Sequence, residues 1–210
     1  MSEKYKFDTM SLHSGHVPDK ETGSRAVPIY QTTSYVFKDT DEAAALYNME
    51  VGGHLYTRIS NPTIATLEQR LASLDGGVSC VACSSGMAAM HLVVTAICSS
   101  GDHIVASNKM YGANINLLQH TMTRFGIETA FVNPNNLEEI EKAIKPNTKL
   151  VFGEVIGNPG LDVMNVPEVA KICKKKNVPL AIDATFNTPY LMKPITCLLY
   201  TSDAADDTSR

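Results

Sequence analysis

The sequence predicts an α/β fold, a mostly parallel sheet with helices on both faces. Two observations carry that expectation. From about residue 60 onward, short apolar runs alternate with longer segments of helical period. The residues with chemical capability fall where the runs end and the helical segments begin, which is where open parallel sheets hold their ligands.

The first clear element is "NPTIATLEQRLASLDGG", a helix with Asn61 as N-cap and Pro62 at its first position. Ile64, Leu67, Leu71 and Leu74 make one apolar stripe, and Gly76-Gly77 ends the helix. Residues 1–60 show no clean periodicity and carry many prolines, glycines and aromatics, as an extended arm does. Strand-like runs follow the helix: "VSCVACS", "HIVAS", "IETAFV", "KLVFGEVI" and "PLAIDAT". Between them lie the helical segments "GMAAMHLVVTAIC", "ANINLLQHTMTRF", "NLEEIEKAI" and "VPEVAKICKKKN".

Composition narrows the function classes. A net charge of -4 over 210 residues gives no basic face for nucleic acid. The start, "MSEKYKFDTM", lacks an apolar signal region, and no run is long enough to span a membrane, so the expected compartment is the cytosol. Five cysteines in no framework spacing suit a reducing compartment. Cys80 and Cys83 form a C-x-x-C without further ligands at zinc spacing, and "VSCVACS" reads as a strand interior, so both are expected as small core residues.

Four run ends offer chemistry. Ser84, Ser85 and Gly86 start a helix and read either as a plain cap or as an anion site suited to a phosphate. Tyr111 with Gly112 reads as a turn aromatic or as a ring that stacks on a flat ligand. Asn158 in "GNP" is turn chemistry or an amide aimed at a polar substituent. Asp183 ends an apolar run that looks like a buried strand, and a bare carboxylate there needs a partner. Neither a G-x-G-x-x-G nor a G-K-[ST] loop occurs, which disfavours dinucleotides and nucleoside triphosphates. One ligand uses all four ends: pyridoxal 5'-phosphate. Its phosphate takes the helix start, its ring the tyrosine, its 3'-oxygen the amide, and its protonated ring nitrogen the carboxylate.

The segments "FDTMSLHSGHVPDKETGSRAVPIYQTTSYVF", "LYTRISNPT", "SSGMAAM", "YGAN", "GNP" and "DATFNTPYLMKPI" together resemble the Cys/Met-metabolism family of pyridoxal-phosphate enzymes, from about Phe7 to Ile195. "SRAVPIYQTTSYVFKDT" looks most like the O-acetylhomoserine sulfhydrylase branch, with methionine γ-lyases and cystathionine γ-synthases or γ-lyases sharing the other motifs. The resemblance implies a type I transferase fold, an amino-acid substrate and self-association as a dimer of dimers. It implies that Tyr56 and Arg58 reach the phosphate of a neighbouring subunit's cofactor, a hydroxyl and a guanidinium fork suited to an oxyanion. Ser85, Gly86 and Met87 would contact the phosphate and Asn158 the 3'-oxygen. Tyr111 would stack and assist proton transfer, and Asp183 and Thr185 would serve the pyridine side.

Two departures from the family pattern stand out. Ala184 occupies the place of an asparagine in the usual Asp-Asn-Thr-Phe, which is expected to loosen the hold on Asp183. The Schiff-base lysine belongs further on, in a Ser-x-Thr-Lys stretch, whereas Lys193 is the last lysine here. "CLLYTSDAADD" is similar to the translation of a sequencing adapter. The expected organisation is therefore an intersubunit arm over 1–60, a truncated cofactor-binding large domain over 61–195 and a non-native tail over 196–210. A chain so composed is expected to be an inactive fragment of a γ-replacement enzyme.

Overall fold

The computed structural model describes residues 5–198, which fall into two compact units, one ending at Ala82 and the other beginning at Cys83. The expected tail lies outside the described residues from 199 onward.

Among the described residues the N-terminal unit contains three helices: α1 (Phe7–His13), α2 (Thr40–Tyr47) and α3 (Pro62–Asp75). Two of them fall in the stretch expected to be an extended arm. α2 has a local cause, because the Asp39 side chain accepts from the Glu42 N–H as an N-cap. α3 begins and ends as its sequence requires: Asn61 Oδ1 accepts from the Thr63 N–H, Pro62 opens the helix, and Gly76 closes it at φ 81°. The apolar stripe is only partly covered, since Leu74 is buried while Ile64, Leu67 and Leu71 are exposed. Around α3 the irregular chain is tied by side chains: Thr63 Oγ1 donates to Pro28 O, and Arg70 Nε to Ser14 O.

The C-terminal unit is a four-stranded parallel sheet in the order β2-β1-β3-β4. The strands are β1 (His103–Ser107), β2 (Glu128–Val132), β3 (Thr148–Glu154) and β4 (Leu180–Asp183). β1 and β3 are the central pair and are almost wholly buried, as their continuous apolar runs require. Their side chains alternate between two cores. Ile104, Ala106, Leu150 and Phe152 pack with Met90 and Val94 of α4 (Gly86–Ile97) and with Leu118 and Met122. Val105 and Val151 pack on the opposite face with Ile140 of α6 (Leu137–Ala143) and Val166, Val169 and Cys173 of α7 (Val166–Lys176). Helices thus cover both faces, and the expected fold class holds.

Three expectations fail. Residues 78–84 form no ladder with any described strand: Val78, Val81 and Cys83 are exposed, so Cys83 is not core filler. An apolar run becomes a strand only where another edge accepts its N–H and C=O groups. Buried cysteines occur elsewhere, at Cys98 and Cys173, whose thiols burial pushes up to about 11 and about 12. The segment 113–125 is not one helix. It runs as α5 (Gly112–Asn116), a π turn over Leu117–Thr121 and a 3-10 turn over Met122–Phe125, stopped by Gly126 at φ 76°. β4, expected as a buried strand, is half-buried throughout because it is an edge of the described sheet.

Candidate functional site

The strand order reverses beside β1: the chain steps from β1 out to β2 and then returns across β1 to β3. In open parallel sheets ligands bind outside the carboxyl ends of strands at such a switch point. A cavity of about 330 Å³ lies there, within the range of small-ligand pockets, roughly 300–1,000 Å³. Ser85, Gly86 and Met87, Tyr111, Asn158, and Asp183 and Thr185 all line it. These seven come from four separate stretches of sequence, and the sheet alone brings them to one edge.

Each is positioned by local chemistry. Ser85 is the N-cap of α4, its Oγ accepting from the Ala88 N–H at 3.1 Å. The N–H groups of Gly86 and Met87, in the first turn of that helix, have no intrahelical acceptor. A Cβ placed on Gly86 would meet nothing within 4 Å, so the helix start opens onto free space. A helix start of this kind offers an anion N–H donors and the positive end of the helix dipole. Tyr111 precedes α5 and is 50% exposed. Asn158 follows β3 in a turn closed by the Gly157 N–H to Asp162 O and the Leu161 N–H to Gly157 O. Asp183 is the last residue of β4, and its Oδ1 accepts from the Thr185 N–H at 2.9 Å and the Thr185 hydroxyl at 2.6 Å. The two bonds hold one oxygen of the carboxylate, with Ala184 contributing no side-chain donor.

Glu154 is the residue that the strand-end survey missed. It is the last residue of β3, only 6% exposed, and stands in register with Asp183 on the neighbouring strand. Its Oε1 accepts from the Tyr111 N–H at 2.7 Å and from the Asn114 amide at 3.3 Å. Burial pushes its pKa up from the usual carboxylate value, the Tyr111 N–H pulls it down, and the Asp183 charge raises it further. The deeply buried carboxylate of the site is therefore Glu154, and Asp183 is half-exposed beside it. A signal existed, because "KLVFGEVI" places one acid in an otherwise apolar run, as "PLAIDAT" does.

Tyr56 and Arg58 belong to the N-terminal unit and are not among the residues lining this cavity. Both are exposed, and Tyr56 bridges to Ser34. Among the described residues no cluster of His, Cys, Asp or Glu could hold a metal ion, and no helix is long and apolar enough to cross a membrane.

Residues 8–199 match the family of Cys/Met metabolism PLP-dependent enzymes. The chain is 45% identical over 195 residues to an O-acetyl-L-homoserine sulfhydrylase of Leptospira meyeri, covering 93% of this chain and 44% of that one. An L-methionine gamma-lyase of Fusobacterium nucleatum subsp. polymorphum is 36% identical over 195 residues, covering 92% of this chain and 49% of its own length. Among solved structures, an O-acetylhomoserine (thiol)-lyase from Campylobacter jejuni, which carries a pyridoxyl-lysine phosphate, superposes with a TM-score of 0.88 at 38% identity. That match covers 91% of this chain and 47% of the other. The chain spans about half the length of the curated relatives it matches. An anion-binding helix start, an aromatic, an amide and a held carboxylate around one cavity fit pyridoxal 5'-phosphate, and with the matched sequence they make this chain a member of the Cys/Met metabolism PLP-dependent enzyme family.

Proposed function

We propose that the gene's full-length product makes homocysteine from O-acetylhomoserine and sulfide, replacing acetate at Cγ. The observation that carries the reading is Asp183, held by Thr185 and lining the same cavity as the α4 start. Relatives 45% and 42% identical to this chain are O-acetyl-L-homoserine sulfhydrylases, and that likeness favours O-acetylhomoserine as substrate. A second reading, γ-elimination from methionine or the cystathionine reactions, has the methionine gamma-lyase likeness in its favour.

When bound, pyridoxal 5'-phosphate supplies the electron sink that lets acetate leave from Cγ and sulfide take its place. The chain's own residues do the rest. The N–H groups of Gly86 and Met87 and the Ser85 side chain receive the phosphate. The Tyr111 ring would stack on the pyridine, and its phenol would hold or pass a proton beside the substrate. The Asn158 amide meets the 3'-oxygen. The Asp183 carboxylate keeps the ring nitrogen protonated, which a neutral side chain cannot do as well. Tyr56 and Arg58 serve the phosphate of a neighbouring subunit, so self-association belongs to this reading, as does a cytoplasmic location.

The 210-residue polypeptide by itself is inactive in this reading. Among the described residues no lysine lines the cavity, and covalent capture of the cofactor needs a lysine amine held there.

The full-length protein, assayed with a substrate panel, should release acetate from O-acetylhomoserine only when sulfide is added. Asp183→Asn should cut that turnover by about 10²-fold or more while cofactor stays bound. Release of 2-oxobutyrate from methionine as the main activity would move the assignment to the second reading. Turnover within a few-fold of the parent in Asp183→Asn would remove Asp183 from its role.

A further inference from the structure

Glu154 is buried at a cost, and its partners show what the cost sustains. A carboxylate moved out of water needs hydrogen bonds to its charged form or it destabilises the fold. Here one oxygen, Oε1, takes two donors from the start of α5: the main-chain N–H of Tyr111 and the side-chain amide of Asn114. The Asn158 main-chain N–H adds a further, weaker contribution to the carboxylate. Tyr111 is the N-cap of that helix, and its own side chain makes no cap bond. Asn114 is the third helical residue and is buried.

Those two positions are the ones a capping box joins. In the usual box an acidic or amide side chain at the third position reaches back to the N-cap N–H. In this protein Asn114 does not close the box itself. Glu154 closes it from outside, from the end of β3, across 43 residues of sequence. A local box would have fixed the helix start to itself. This one fixes the helix start to the sheet, beside Asp183, with which Glu154 is in register.

α5 has reason to need it. It is five residues long and passes at once into a π turn and then a 3-10 turn, so little helix stands behind its first residue. Tyr111 is half-exposed at the cavity, and its backbone N–H is bonded to Glu154.

We propose that Glu154 is a positioning residue for Tyr111: it closes the α5 cap from β3 and so sets the phenol ring over the cavity relative to the Asp183 carboxylate. The proposal rests on the reading of the cavity as the cofactor site. It makes Glu154 an acceptor first and a charge second. Glutamine keeps the accepting oxygen and loses the charge, whereas alanine loses both, and that contrast separates the two roles.

The experiment uses the full-length protein, stripped of cofactor, with pyridoxamine 5'-phosphate as the probe. An amine replaces the aldehyde in this compound, so it cannot condense with lysines and reports non-covalent fit. Two quantities are read in the parent, Glu154→Gln, Glu154→Ala, Tyr111→Ala and the double alanine variant. They are the probe Kd and, without probe, amide hydrogen exchange in the peptide spanning residues 109–116. Glu154→Ala should weaken the probe about tenfold and speed exchange at Tyr111 about tenfold or more, the scale of one buried hydrogen bond lost. Glu154→Gln should stay within about threefold of the parent in both. In the Tyr111→Ala background, Glu154→Ala should weaken the probe no further, because partners in one unit are not additive.

Equal losses in glutamine and alanine variants, or losses that multiply in the double variant, would show that the Glu154 charge acts on the ligand directly and would overturn the proposal. Unchanged exchange in Glu154→Ala would overturn it without reference to any ligand. A parent that does not bind the probe, with exchange responding as expected, would sink the cofactor reading of the cavity and leave Glu154 as the anchor of Tyr111.

Discussion

His103 shows how a single residue at the far end of the sheet from the cavity makes the fold depend on pH. It is the first residue of β1, 1% exposed, with its ring Nδ1 2.9 Å from the Thr148 hydroxyl. That hydroxyl also accepts the Lys145 N–H at 2.8 Å. Burial holds the imidazole pKa below its ordinary 6.5, the Lys145 charge adds to the lowering, and Glu128 opposes it. A folded-state pKa below the unfolded one means the unfolded chain binds the proton more readily. Stability is therefore complete above about pH 6.5 and is lost as the pH falls from there towards the folded value. Urea midpoints taken from pH 7.5 to 5 should fall in the parent and fall less in His103→Gln. Each unit of pKa displacement corresponds to about 1.4 kcal/mol. Superimposable pH profiles would show that the charged ring is accommodated at no cost.

At the scale of one element, α3 illustrates a cap that does more than cap. Asn61 is 3% exposed, and its Oδ1 accepts from the Thr63 N–H. Its amide donates to Tyr30 O at 2.8 Å and approaches the Tyr35 hydroxyl and Thr57 Oγ1 at 3.2 Å. One side chain thus joins the helix start to two irregular segments that share no ladder beyond the Ser34–Tyr56 bridge. Replacing a cap residue with alanine costs about 1 kcal/mol. Losing the amide bond to the Tyr30 carbonyl adds about 0.5–1.5 kcal/mol. Asn61→Ala should therefore destabilise this unit by about 1.5–2.5 kcal/mol in chemical denaturation. Asn61→Asp keeps the cap acceptor and loses the donors, so it should retain only part of the difference. Equal stability of the aspartate variant and the parent would show that the amide bonds contribute nothing.

For the molecule as a whole, the lysines test the proposal that the 210-residue chain is inactive. Lys175 and Lys176 pair with Glu141 on the surface, Lys142 with Glu138, Lys145 with Glu128 and Lys171 with Glu168. None is among the cavity-lining residues. Treating this chain with pyridoxal 5'-phosphate and then borohydride should give scattered, substoichiometric labelling when the peptides are mapped. Stoichiometric reduction at one lysine would mean that the chain holds a competent amine after all, and the inactive reading would be abandoned.

What was legible in the sequence was local or periodic. Asn61, Pro62 and Gly76 mark the ends of α3 because a cap is a bond within three residues. β1 and β3 read as buried strands because unbroken apolar runs fit only a covered sheet. Ser85, Tyr111, Asn158 and Asp183 could be singled out because a helix start, a turn aromatic, a turn amide and a lone acid are each local signals. Tertiary structure decided the rest. Residues 78–84 carry strand composition yet have no ladder, since pairing depends on an edge that composition cannot supply. Asp183 and Glu154 carry the same sequence signal, one acid in an apolar run, and the order of the strands made one half-exposed and the other buried. The bond from Glu154 to the Tyr111 N–H spans 43 positions, and no spacing rule reaches that far. Only the parallel pairing of β1 with β3, which puts Tyr111 and Glu154 at the same end of the sheet, brings those groups within 3 Å.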